Sequence, residues 1–68
     1  MNRLQALFVM WKDSRIVALE YLPSVSGFDI SGTADSLIEE KREAGVDVEC
    51  CGVFLICGRR LVWVGDRN

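Results

Sequence analysis

From Val46 to Val64 the chain reads VDVECCGVFLICGRRLVWV: an apolar run, a Gly-Arg break and a second apolar run. This pattern predicts a β-hairpin. Gly58 and Arg59 at the two central turn positions suit a type II′ turn, which takes glycine first because φ is positive there. Cys57 then faces Arg60, Ile56 faces Leu61, Leu55 faces Val62, Phe54 faces Trp63 and Val53 faces Val64. Successive side chains on a strand point to opposite faces. One face therefore carries Val53, Leu55, Val62 and Val64, with Cys57 and Arg60 near the tip. The other carries Phe54, Ile56, Leu61 and Trp63. A sheet element that is apolar on both faces has to be covered on both.

The N-terminal third repeats the pattern. Leu4 to Trp11 and Ile16 to Leu22 are apolar segments flanking a polar Lys-Asp-Ser-Arg break. They predict two antiparallel strands around a turn at Asp13 and Ser14, residue types whose side chains bond nearby backbone. In that register Trp11 faces Ile16, Met10 faces Val17 and Phe8 faces Leu19. Phe8, Met10, Val17 and Leu19 would share one face, and Leu7, Val9, Trp11, Ile16 and Ala18 the other. Pro23, with no N–H for a ladder, is expected to end the second strand. Leu4, Leu7, Phe8 and Trp11 also fit helical spacing, which leaves a helix open as the rival for the first segment.

Between the hairpins, Ser24 to Gly32 reads as a loop rich in Ser and Gly, with Phe28 and Ile30 tucked into the edge of the core. Thr33 to Gly45 reads as a helix, with Thr33 as its cap and Gly45 as its left-handed stop. Ala34, Leu37, Ile38 and Ala44 form its apolar stripe, and Glu39, Glu40, Arg42 and Glu43 point outward. The fold class is α+β, in the order ββαββ: a small four-stranded antiparallel or mixed sheet with one helix packed on one face. Residues 1–68 are expected to form a single domain. One helix covers one face. The other stays apolar and open, and apolar patches beyond a few hundred Å² mark interaction surfaces.

Composition narrows the chemistry. At 68 residues, a single core supplies only about 3–5 kcal/mol unless a disulfide, a metal or oligomerisation adds to it. Half of the residues are apolar, which argues against disorder, and a net charge of −2 is too mild for a nucleic-acid binder. No stretch is long enough for a membrane span and none ends in a cleavage site, so a cytoplasmic chain with reduced thiols is expected. Three cysteines, an odd number, do not suit a disulfide-stapled secreted scaffold.

The sequence contains no histidine, which removes the usual general base and any Ser-His or Cys-His nucleophile pair. No enzyme activity and no cofactor are expected. Cys50, Cys51 and Cys57 are spaced unlike a zinc or redox motif, and neighbouring strand residues cannot both reach one metal without a bulge, which Gly52 could mark. They read as small buried hydrophobes, with a thiol or metal site as the sharper alternative. Gly27 to Thr33 approaches a helix start, where N–H groups bind anions, but lacks the ending of a phosphate loop. Arg59 and Arg60 at one tip, with Lys12 and Arg15 at the other, raise a nucleic-acid-binding dimer as an alternative. A parallel crossover through the helix would put the two tips at opposite ends of the sheet.

The residues most suited to contact a partner are Trp11, Phe54, Ile56, Leu61 and Trp63, with Arg59 and Arg60 at the tip. Trp, Tyr and Arg dominate binding hot spots. The expected function is a small protein-binding module that acts by occlusion, in the manner of an inhibitor or adaptor encoded by a phage or mobile element. A homodimer is expected, because isologous pairing would close the spare face.

Overall fold

The computed structural model describes residues 3–67. Its elements are β1 (Arg3–Lys12), β2 (Arg15–Ser26), α1 (Ile30–Glu43), β3 (Cys50–Cys57) and β4 (Arg60–Arg67). They form one four-stranded sheet in the order β2-β1-β3-β4, with every neighbouring pair antiparallel. β1 thus lies between β2 and β3, which run parallel to each other, and α1 is the crossover that joins them. The first segment is a strand, not a helix. Ala6, Phe8 and Met10 on one face and Val9 on the other are all buried, and only a central strand buries a continuous apolar run on both sides.

The first hairpin turns on two residues with positive φ, Asp13 at 52° and Ser14 at 65°. This is the type I′ geometry whose twist matches the flanking strands. Lys12 pairs with Arg15 and Trp11 with Ile16, as the pattern predicts, and then the register slips. Met10 pairs with Ala18 and Phe8 with Glu20, not with Val17 and Leu19. Val17 is left over in a bulge, and a one-residue slip exchanges the faces of everything beyond it. Ala18 and Leu22 turn toward the helix, while Leu19 and Tyr21 turn away. A second irregularity sets Pro23 and Ser24 opposite Gln5, and pairing resumes with Leu4 and Val25. Pro23 therefore does not end the strand: β2 is an edge strand, where a missing N–H is tolerated at a bulge.

Left-handed backbone costs an L-residue roughly 1–2 kcal/mol, against roughly 0.5–1 kcal/mol of extra chain entropy for glycine. Ser14→Gly is accordingly expected to raise stability by about 0.5–1 kcal/mol and the melting temperature by about 2–8 °C. A melting temperature that stays or falls in a thermal scan would show that Ser14 is unstrained.

The helix starts at Ile30, earlier than the pattern suggests. Asp29 occupies the cap position, and its carbonyl accepts from the Thr33 N–H at 3.0 Å and from the Thr33 hydroxyl at 2.8 Å. Thr33 therefore sits inside the first turn rather than capping it. Ile30 packs against the core, which outweighs the low helix propensity of Gly32. Phe28 does not tuck in; it is 85% exposed. The far end closes in a Schellman arrangement around Gly45, at φ +93°. The Val46 N–H reaches the Lys41 carbonyl and the Gly45 N–H that of Arg42, each at 3.0 Å. Ala44 is exposed, outside the stripe, because the last turn has run past the sheet.

Ala34, Leu37 and Ile38 pack on Ala6, Phe8, Met10, Cys51 and Val53, with Val25 and Val48 closing the sides. Polar straps hold the helix across the sheet. Arg67 of β4 donates to both Asp35 oxygens, at 3.1 and 2.8 Å, and Lys41 meets Glu20 of β2 at 3.0 Å. Arg42 donates twice to the Val48 carbonyl, at 3.0 and 2.6 Å. The second hairpin keeps its expected register from Cys57–Arg60 to Phe54–Trp63. Beyond that a bulge pairs Val53 with Gly65 instead of Val64. No helix among the described residues is long and apolar enough to cross a membrane.

Candidate interaction face

A contiguous set of apolar side chains that the helix leaves uncovered lies on the opposite face of the sheet, while Val62, paired with the core-facing Leu55, is exposed on the helix side and Phe28 in the loop before α1. The register arranges that face in rows across the strands. Tyr21, Leu7, Phe54 and Trp63 form one row, and Leu19, Val9, Gly52 and Asp66 the next. Ile16, Trp11 and Cys50 lie toward the first hairpin, and Gln5, Ile56 and Leu61 toward the second. The apolar members on the edge strands are the most open: Ile16 is 64% exposed, Leu61 58%, Leu19 57%, and Tyr21 and Trp63 50% each. Single exposed apolar residues are ordinary, but a contiguous set on one face is not.

The centre of the face is built on a glycine. A Cβ placed on Gly52 would lie 2.7 Å from Cζ3 of Trp63 and 2.8 Å from Cη2 of Trp11. The two indoles meet over its bare backbone, and Gly52 is buried beneath them. Its pairing with Val9 and Asp66 is regular, so Gly52 marks a close approach rather than the bulge anticipated there. Phe54 braces Trp63 edge to face, with ring centroids 5.1 Å apart.

Trp11, Phe54, Ile56, Leu61 and Trp63, singled out from the sequence, all fall on this one face. Leu19 and Tyr21 join them; the pattern puts Leu19 with Phe8, because it does not reveal the Val17 bulge that reverses its direction. Arg59 and Arg60 are exposed at the second tip. Lys12 and Arg15 flank the first turn at the opposite end of the sheet, so the two basic tips do not merge.

The remaining candidates for chemistry are dispersed. Cys50 lies on the open face beside Trp11, and Cys51 on the helix face beside Met10, while Cys57 is exposed at the second tip. Burial pushes the Cys51 thiol up to about 11, helped by Cys50 and Asp35. The Cys50 thiol is also raised, by desolvation and then by Asp66 and Glu49. Neither is poised as a nucleophile, since the thiolate is the reactive form. No group of three His, Cys, Asp or Glu side chains that could hold a metal occurs among the described residues. At the helix start the Asp29 carboxylate lies against Gly32, where it would repel an anion. A groove of about 450 Å³ along α1 is lined by Asp35, Ile38, Glu39, Arg42 and Glu43. The Arg67 guanidinium holds the Asp35 carboxyl below the usual carboxylate range, which suits an ion pair rather than proton transfer.

No family model, no curated protein and no solved structure matches the chain.

Proposed function

We propose that this chain is a small non-catalytic protein-binding module that works by occupying surface rather than by chemistry. The observation that carries the reading is the uncovered sheet face, with its half-exposed edge residues and its paired indoles over Gly52. Aromatic anchors surrounded by aliphatic contacts are the composition of a binding hot spot. An inhibitor or adaptor, of the kind that phages and mobile elements encode, is the functional class that this size and surface suit. The nucleic-acid alternative is disfavoured by the placement of the basic tips at opposite ends of the sheet, which offers no continuous track for phosphates.

Trp63→Ala and Phe54→Ala test the reading. Each is expected to weaken association, with itself or with another protein, by roughly thirtyfold or more, the level of a hot-spot truncation. Association would be followed by sedimentation and by binding to immobilised protein, with far-UV circular dichroism confirming the fold. Unchanged association in both variants would sink the proposal.

A further inference from the structure

The open face needs an occupant, and two features select one. The first is area. Tyr21 and Trp63 are each half exposed and so offer on the order of 100 Å² apiece, given about 150–250 Å² for a whole aromatic side chain. Ile16, Leu19 and Leu61 are more open still, and the partly exposed Leu7, Trp11, Phe54 and Ile56 add to them. The face presents on the order of 600 Å² of apolar surface, so two copies would bury roughly 1,200 Å², the lower bound of a stable specific interface. Its apolar centre also carries no charge that a second copy would have to desolvate, since Asp66 stands on the β4 edge.

The second feature is charge. The sheet is polarised along its strands. At the end holding the β3–β4 turn, Arg3, Arg59 and Arg60 outnumber Asp29. Toward the other end, Asp13, Asp47, Glu49 and Asp66 outnumber Lys12 and Arg15, and Arg67 is already committed to Asp35. Two sheets can stack face to face about a two-fold axis lying between them in two aligned ways. An axis along the strands sets arginine end on arginine end. An axis across the strands sets each arginine end on the partner's acidic end.

We infer that a second copy of this chain covers the open face, related by a two-fold axis between the sheets and across the strands. β2 then lies over β2 of the partner subunit and β4 over its β4, and the Arg59–Arg60 tip of each copy lies over the acidic end of the partner's sheet. This rests on the protein-binding reading above and names its occupant. A foreign partner would engage the surface left outside, the outer helix face.

The test is the mass in solution, by light scattering over a dilution series at low salt with reductant present. Wild type is expected at twice the chain mass, persisting on dilution. Leu19→Asp with Leu61→Asp places two charges at exposed positions of the face. The pair is expected to weaken the dimer by about a hundredfold or more while the fold survives. Arg59→Glu with Arg60→Glu is expected to weaken it by about three- to tenfold at low salt, with the effect fading as salt is added. A tighter dimer in that arginine variant would overturn the axis, and with it the inference. A dimer indifferent to Leu19→Asp with Leu61→Asp would overturn the face. A wild-type monomer throughout would overturn the inference alone, provided that Trp63→Ala still impairs binding to another protein. If that variant also changed nothing, the protein-binding reading would fall too.

Discussion

Phe8→Ala is expected to leave the chain without a cooperative unfolding transition at ambient temperature. Phe8 is fully buried in the central strand, between Glu20 on one side and Val53 on the other, and it belongs to the cluster that receives the helix. Truncating a core phenylalanine costs about 3–5 kcal/mol, from lost burial and from the cavity left behind. A domain of this size commands about 3–5 kcal/mol in all. The loss therefore matches the whole reserve. Circular dichroism during urea titration would read it, with Leu19→Ala as the control. Leu19 sits on the same sheet but is 57% exposed, so its truncation should cost the folded protomer less than about 1 kcal/mol. A cooperative transition in Phe8→Ala near the wild-type midpoint would mean that the helix does not pack on this strand.

The second expected result is a loss of stability in alkali that depends on Cys51. Its thiol is fully buried on the helix face and is pushed up to about 11, whereas an unfolded cysteine titrates near 8.5. The folded state thus holds its proton more tightly than the unfolded state does. The stabilisation is fully present below the unfolded value, declines as the pH rises, and is gone once the pH has passed through about 11. The linked loss is on the order of 3 kcal/mol. Thermal melts of wild type and Cys51→Ala between neutral pH and the folded titration would isolate it. The wild type should fall more steeply than the variant, so that any advantage it holds at neutral pH shrinks. Parallel declines would place Cys51 in contact with solvent.

Much of this fold was legible in the residues. The Gly58–Arg59 turn locks the second hairpin because only that register pairs its two apolar runs. The Ala34, Leu37 and Ile38 spacing marks the face that α1 buries, and Gly45 marks where it stops. Phe54, Ile56, Leu61 and Trp63 share a face by strand alternation alone, but only the pairing of β1 with β3 brings Trp11 to the same side. Asp13 and Ser14 locate the first turn, yet the pattern sends Leu19 to the wrong face. A bulge leaves no compositional mark when the extra residue, Val17, is as good a strand former as its neighbours. Thr33 was a plausible cap in isolation. The packing of the partly buried Ile30 against the core brings three more residues, Gly32 among them, into the helix.

The sequence by itself determined the elements and their order, because period, turn chemistry and helix stops are local properties that a few neighbouring residues fix. It also determined that one apolar face would be left over, since a single helix covers a single face. The tertiary structure decided which side chains share that face. It did so through long-range pairing: bulges at Val17 and Pro23, an interior β1, and two indoles brought over Gly52 from strands far apart in the chain. Such contacts depend on the strands' relative twist and register, which no local pattern encodes.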